Sequence, residues 1–500
     1  MSPDNSASPG RDNRIRRRDF LKVISAAPFL TASGLDSPRG TLVNDVHTGW
    51  NPTWVDRVER PTSAAEVQSL IKAARKRGKV ISVSGSRHAT GGQQFAGKSV
   101  LVDMRGLDRI LDLDTKSGVL SVEGGIEWPG LIQGYLKSQG ATPAWGIRQK
   151  QGGGDHMTIG GALAANAHGH CLGAPPIVGD VEWIEIAAAD QAMQRCSRNE
   201  AKELFSLAIG GYGLCGIITA VGLRLVPRRK VRRNVATLTL AEAIAFVERH
   251  ASNETAFGYF QYNTDETSLE FMRTGILTTY GIVSDDTPIG DASTDIDEAP
   301  LSSLLELAHK DRRSAYRHYA TFELSKNGNV EWSDLHQLSS YPSGYHTKMD
   351  QHHPDLRKGA DLIWEFYVPR GELISFLEEA RRLLLKSETP LIYGTVRFIE
   401  QDRDSFLAWA KKRYACVIFT PHFPDGVPEK RKASELYRQL AQAANKRAGS
   451  FYLTYNRFAG RSEMNDAYPQ FAEFLQLKRK YDPTELFQSE WYRHYRDLYA

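Results

Sequence analysis

Ser84-Gly85-Ser86-Arg87-His88-Ala89-Thr90-Gly91-Gly92 follows directly on the short β-branched run Val80 to Val83, and the reading of the fold begins at this junction. A dinucleotide's pyrophosphate needs several backbone N–H groups converging on it at close range. Gly and Ser allow that approach and larger side chains block it. Upstream, Arg60-Pro61-Thr62-Ser63-Ala64-Ala65-Glu66 reads as a helix start with Ser63 and Glu66 placed as a capping box, and Val67, Leu70, Ile71 and Ala74 repeat at helical spacing until Gly78. The local order is helix, strand, glycine-rich loop.

Strands are expected at 100–104 and 118–123, a helix at 128–138, and then a second glycine-rich passage, Gly152-Gly153-Gly154-Asp155-His156-Met157-Thr158-Ile159-Gly160-Gly161-Ala162-Leu163-Ala164-Ala165-Asn166-Ala167-His168-Gly169. One such loop is weak evidence; two at strand ends, about 70 residues apart, are harder to dismiss. Strands at 181–187 and 217–226 follow, and a domain boundary is placed where Pro227, Arg228, Arg229 and Lys230 close the region. Gly211-Tyr212-Gly213-Leu214-Cys215-Gly216 satisfies the GxGxxG spacing of nicotinamide-dinucleotide folds. That motif requires a helix after it and an acidic residue about 20 positions on. Here the β-branched run Ile217-Ile218-Thr219-Ala220-Val221 follows and no acidic residue occurs before Glu242, so a Rossmann reading fails on context.

The chain has 500 residues, which favours two domains, and carries 63 Lys plus Arg against 59 Asp plus Glu. Without residues 1–33 the balance is 57 against 56, so a basic nucleic-acid-binding face is not expected. Cys171, Cys196, Cys215 and Cys416 have no zinc spacing and read as buried free thiols. His156, His168 and His170 lack a carboxylate or thiolate arrangement to complete a metal site, so no metal is expected. His346, His352 and His353 read as surface or loop residues, and the acidic stretch 284–298 as a solvated excursion. At the N-terminus, Arg16-Arg17-Arg18-Asp19-Phe20-Leu21-Lys22 precedes the short apolar stretch Val23 to Leu30 and the small residues Thr31-Ala32-Ser33-Gly34. This is the pattern of a twin-arginine export signal. It implies the twin-arginine translocation machinery as a partner, a periplasmic or secreted destination, and a mature protein with no membrane span.

Ser84-Gly-Ser-Arg-His-Ala, Thr158-Ile-Gly-Gly-Ala-Leu-Ala-Ala-Asn-Ala-His-Gly, Gly213-Leu-Cys-Gly-Ile-Ile-Thr and Tyr481-Asp-Pro-Thr-Glu-Leu-Phe occur in an order that resembles the vanillyl-alcohol oxidase superfamily. Within it the chain is most similar to the aldonolactone and alditol oxidases and to the decaprenylphosphoryl-ribose oxidases. With the export signal at 1–33 set aside, the resemblance implies an α+β, two-domain FAD-binding fold: an FAD domain at 45–229, a substrate or cap domain at 230–469, and a C-terminal segment, 470–500, returning to the FAD domain. It implies FAD contacts from Ser84, Gly85, Ser86, Arg87, His88, Ala89, Gln93, Thr158, Gly160, Gly161, Asn166, His168, Gly169, Gly216, Ile217 and Ile218. In many relatives the histidine of the first loop is bonded to the flavin 8α carbon, and His88 falls on that position. A neutral imidazole is a competent nucleophile for that bond; FAD held noncovalently is the alternative. A second, cysteinyl bond is not expected, since Gly152 to Met157 contains no Cys.

The substrate half is less legible. Thr395-Val396-Arg397-Phe398-Ile399-Glu400 reads as a strand with Thr395 and Arg397 on one face. It is similar to the Glu-x-Arg strand of aldonolactone and alditol oxidases, with Thr395 in place of the acid. An arginine there would stabilise the negative charge of reduced flavin. Tyr455-Asn456-Arg457-Phe458 matches a late strand where relatives carry an active-site lysine, with Asn456 at its position. Tyr455, Arg457 and His422 are left as candidates to receive a hydroxyl proton. The implied reaction is oxidation of an alcohol carbon of a sugar, polyol or aldonolactone-like small molecule by hydride transfer to flavin N5. Oxygen would be the acceptor, giving hydrogen peroxide. A dehydrogenase passing electrons to a quinone or cytochrome is the alternative within enzymes, and a flavin-scaffold binding protein without turnover the alternative outside them.

Overall fold

Ser63 caps the first helix: its Oγ accepts the Glu66 N–H at 3.2 Å, while the Glu66 carboxylate reaches back to the Thr62 N–H at 2.8 Å. The helix Ala64–Lys76 buries Val67, Ile71 and Ala74 and gives way to the strand Ile81–Ser84, whose last residue opens the glycine-rich loop. That strand pairs in parallel with Val100–Asp103, which pairs in parallel with Arg57–Glu59. Its other edge is taken by the far end of the chain. The Ile81 N–H donates to Leu486 O at 2.7 Å and the Gln488 N–H donates to Ile81 O at 2.8 Å.

The computed structural model describes residues 40–250, 255–290, 298–339, 345–352 and 358–500. The expected export signal lies outside the described residues, as do His353, part of the acidic stretch 284–298, and the side chains of His346 and His352. Residues 40–500 form one compact body.

A five-stranded antiparallel sheet runs in the order Met193–Ser197, Val181–Ala187, Ile217–Arg224, Val119–Glu123, Ile110–Asp114. Gly211 to Gly216 leads directly into Ile217–Arg224, and both neighbours of that strand are antiparallel, which a dinucleotide-binding βαβ unit does not permit. The chain crosses to a third sheet between Pro227 and Lys230.

This large antiparallel sheet has as its centre Lys230–Thr239, Thr274–Val283, Thr255–Tyr262, Leu391–Ile399, Tyr414–Pro424 and Trp364–Pro369, in that order. Alternation along its strands sorts the two faces. Phe260, Val396, Phe398, Val417, Phe419 and Phe366 are buried core residues, and helices Leu373–Ser387 and Val427–Asn445 pack on this part of the sheet. The alternate positions, Tyr259, Thr395, Arg397, Ile418 and Glu365, line a cavity.

One expectation needs correction. Tyr455 to Phe458 is not a strand, since the nearest one is Ser450–Phe451. The reason lies in its hydrogen bonds, which are spent on the His88 loop: the Thr90 N–H donates to Thr454 O at 3.1 Å, and Asn456 Nδ2 donates to Thr90 O at 3.3 Å. No helix of the described residues is long and apolar enough to cross a membrane.

Candidate active site

Two cavities meet at the His88 loop. The first is lined by Ser84, Gly85, Ser86, Arg87, His88, Ala89 and Gln93, by Thr158, Gly160 and Gly161, and by Gly216, Ile217 and Ile218, all named from the sequence; Tyr212, Gly213 and Thr454 complete part of its wall. The two glycine motifs interlock here. A Cβ at Gly85 would stand 2.1 Å from Thr158 Oγ1, so only glycine lets the first loop close on the second. Arg87 is held at a φ of +66°, the left-handed region that a residue with a Cβ seldom enters unless its surroundings impose it. Ser84 Oγ and Arg87 Nε are buried with no hydrogen-bond partner. A narrow cleft with close backbone approach and uncommitted buried donors fits the pyrophosphate and flavin of FAD.

Asn166, His168 and Gly169 line neither cavity. The short helix Ile159–Ala165 ends on Asn166 at a φ of +50°, which turns the chain into the core. There Asn166 Nδ2 donates to Asp402 Oδ2 at 2.8 Å, and the Gly169 N–H donates to Gln149 Oε1 at 3.3 Å.

His88 Nδ1 lies 2.9 Å from His47 Nε2. Burial, reinforced by the neighbouring His47 and His156, pushes the His88 imidazole down to about 3. Its ring is therefore neutral near pH 7 and keeps a lone pair for bonding.

Behind the loop lies a second cavity of about 370 Å³ that shares His88, Ala89, Met157, Ala165 and Thr454 with the first. Gly152, Gly153 and Gly154 line this one, so the second glycine-rich passage serves both cavities in turn. Arg397 projects into it beside Gly152, where an added Cβ would meet Arg397 Nη2 at 2.9 Å. No ion pair or hydrogen bond ties its guanidinium among the described residues, which leaves a free cation in a cavity wall.

Of the candidates for the hydroxyl proton, Tyr455 lines the cavity and Arg457 and His422 do not, nor does Asn456 at the position of the relatives' lysine. Asn456 Oδ1 accepts from Trp364 Nε1 at 3.2 Å, Arg457 Nη1 donates to Gly91 O at 3.2 Å, and His422 Nδ1 is 2.8 Å from Asp361 Oδ1. Tyr455 Oη donates to Glu365 Oε1 at 2.7 Å, and Glu365 was not anticipated. Its other oxygen, Oε2, accepts from Tyr367 Oη and faces His168 Nε2, both at 2.8 Å. Burial alone would raise this carboxyl, but the His168 imidazole, the Arg397 charge and the Tyr455 hydrogen bond outweigh it and hold Glu365 down at about 2. His168 thus works from behind the cavity wall through Glu365. The legible signal was an acidic residue inside the aromatic and β-branched strand Trp364–Pro369, where a charge survives only with partners.

At the far end Arg233 Nη2 pairs with Glu323 Oε2 at 2.5 Å, and Tyr259 and Thr278 also donate to that oxygen. His170 and His336 flank this end, and burial pushes His336 down to about 3.

Comparison with known sequences agrees with this geometry. The family described as "FAD binding domain" matches residues 55–197, and "D-arabinono-1,4-lactone oxidase" matches residues 363–495. The chain is 22% identical over 449 residues to an L-gulono-1,4-lactone dehydrogenase of Mycobacterium tuberculosis, covering 87% of this chain and 95% of that protein. It is 22% identical over 440 residues to the L-gulonolactone oxidase of Mus musculus, covering 86% and 92%. Cytokinin dehydrogenase 2 of Oryza sativa subsp. japonica is 29% identical over 171 residues, 33% of this chain and 30% of that protein. The cradle at the first cavity, the free arginine in the second and these matches make the chain an FAD-dependent oxidoreductase acting on CH–OH groups, a member of the FAD-linked oxidase superfamily of the vanillyl-alcohol oxidase type, near its aldonolactone oxidase branch.

Proposed function

We propose that the protein oxidises an alcohol carbon of an aldonolactone-like or related polyhydroxylated small molecule, with oxygen as electron acceptor, after export by the twin-arginine route. The observation that carries the reading is the unpaired Arg397 guanidinium in the cavity that opens onto the His88 loop. FAD, when bound, supplies the hydride acceptor and passes the electrons on. Ser84 to Ala89, Gln93, Thr158, Gly160, Gly161 and Gly216 to Ile218 would hold it, with His88 as the covalent anchor and His47 orienting the His88 ring.

Tyr455 gives its own hydrogen to Glu365, so what its oxygen offers the cavity is a lone pair. A substrate hydroxyl donates to that lone pair. As the neighbouring C–H bond breaks with its electron pair, the hydroxyl becomes strongly acidic, and a carboxylate held near 2 remains a competent final acceptor. The proton moves from the substrate to Tyr455 Oη as the Tyr455 hydrogen passes to Glu365 Oε1. Arg397 binds a substrate oxygen or stabilises negative charge that builds beside it.

The test is anaerobic mixing of the purified protein with a panel of aldonolactones, alditols and simple alcohols, followed by exposure to dissolved oxygen. Bleaching of the flavin band by the lactones first and fast recovery in oxygen support the reading. Bleaching with slow recovery in oxygen and fast recovery with a quinone replaces the acceptor. No bleaching by any member removes the substrate class. Acid precipitation tests the anchor: colour should stay with the wild-type polypeptide and leave with His88→Ala.

A further inference from the structure

The cover of the large cavity meets its floor at three side chains that the oxidation does not use. The helix Glu298–Lys310 places Leu301 and Leu305 in the cavity wall and ends near His309. His309 Nε2 lies 3.1 Å from Asp361 Oδ2, and His422 Nδ1 lies 2.8 Å from Asp361 Oδ1. Asp361 belongs to the strand Gly359–Asp361 and pairs in register with His422 on Tyr414–Pro424, so the carboxylate and one imidazole are fixed by a β-ladder. The two rings stand edge to face, 4.7 Å apart. The side chains are 5%, 1% and 10% exposed for His309, Asp361 and His422, and Asp361 itself lines the cavity.

We propose that His309, Asp361 and His422 form a binding site for a divalent transition-metal ion, with Zn²⁺ as its type, in the wall of the substrate cavity. Two imidazoles and one carboxylate, drawn from three elements and nearly sealed from water, are a donor set of the kind that zinc and its neighbours take. The spacing suits it. An ion about 2.0–2.1 Å from a nitrogen and about 2.0–2.2 Å from an oxygen sets those two atoms roughly 3.0–3.4 Å apart at ordinary ligand angles. The two N···O contacts, one to each oxygen of Asp361, need to open by only a few tenths of an ångström, and the ligand atoms of the three residues all lie within 4.8 Å of one another. Metal takes the place of the imidazole N–H at each contact, so binding changes which nitrogen is protonated. Three protein ligands leave a position for water or for an oxygen of a bound polyhydroxylated molecule. The ion would also pin the cover helix to the sheet.

The experiment uses the flavin-loaded protein without a histidine tag, dialysed against EDTA and titrated with Zn²⁺ by calorimetry and with Co²⁺ by visible absorption. It does not depend on the substrate or on turnover. One equivalent of Zn²⁺ per chain is expected, with visible Co²⁺ bands that Zn²⁺ abolishes. Asp361→Asn, His422→Ala and His309→Gln should each weaken binding by at least tenfold, with flavin content kept as the check of folding. If a strand variant fails to fold, His309→Gln on the cover helix carries the test, because it leaves the sheet untouched. Absence of saturable one-to-one binding in the wild type overturns the proposal. So does binding that survives these substitutions, which would leave the three residues as a hydrogen-bonded latch.

Discussion

The first cavity is walled mainly by short stretches at 84–94, 157–165 and 212–218, and its character is set by backbone and glycine. The second draws Tyr259, Glu323, Glu365, Arg397, Ile418 and Tyr455 from separate strands, helices and turns, and its character is set by side chains. The difference teaches which kind of site tolerates which kind of change. A cradle made of close backbone approach fails when volume is added to it. A cavity made of alternating strand positions keeps its shape under substitution and changes its chemistry instead.

Replacing Glu365 by Gln should test this most severely. The amide keeps the size but removes the acceptor for the Tyr455 proton, so kcat should fall about 10²–10³-fold with FAD content unchanged, measured by steady-state kinetics and the flavin-to-protein absorbance ratio. Lost flavin alongside lost turnover would mean that the two cavities are not separable. Gly85→Val should do the reverse. The clash with Thr158 should cost about 1–3 kcal/mol, weakening noncovalent FAD binding by roughly tenfold to a hundredfold, read by fluorescence quenching on apoprotein, while the second cavity stays intact. His47→Ala should slow covalent attachment by about tenfold, the effect of losing one orienting hydrogen bond, followed by flavin fluorescence of the polypeptide in denaturing gels.

A further expected effect is on acid stability, and its sign follows from the depressed values. His88 and His336 are each held at about 3 against an ordinary 6.5, so the folded form binds fewer protons than the unfolded one between those values. Their contribution is complete above pH 6.5 and is lost as pH falls towards 3. Glu365, at about 2 against 4.5, adds a second loss below pH 4.5. The melting temperature of apoprotein should therefore decline from pH 6.5 downward, and a flat profile between pH 6.5 and 4.5 would contradict the buried neutral histidines.

Legibility followed the same division. The loop at Ser84 to Gly92 could be read because pyrophosphate binding is imposed on consecutive residues, and Gly85 against Thr158 is the contact that such a pattern encodes. The rejection of Gly211 to Gly216 as a Rossmann turn could be read because Ile217 to Val221 is too β-branched to begin a helix. Glu365 was legible only in part: an acidic residue inside the strand Trp364–Pro369 signals a need for partners, but nothing local says which ones. Its partners His168, Tyr367 and Tyr455 are brought to it only by the sheet and by the turn after Ser450–Phe451. The assignment of Asn456 to a strand failed for a related reason: sequence pattern does not say which backbone a segment bonds to, and 454–457 bonds to the His88 loop.

The edge of the strand Ile81–Ser84 taken by Leu486 and Gln488 has a consequence for biosynthesis. The loop leaves the ribosome early, but the residues that flank its strand follow some 400 positions later. At roughly 5–20 residues per second the half-built cradle waits on the order of a minute for its border. Flavin can therefore meet a cradle with its border in place only after nearly the whole chain has been made.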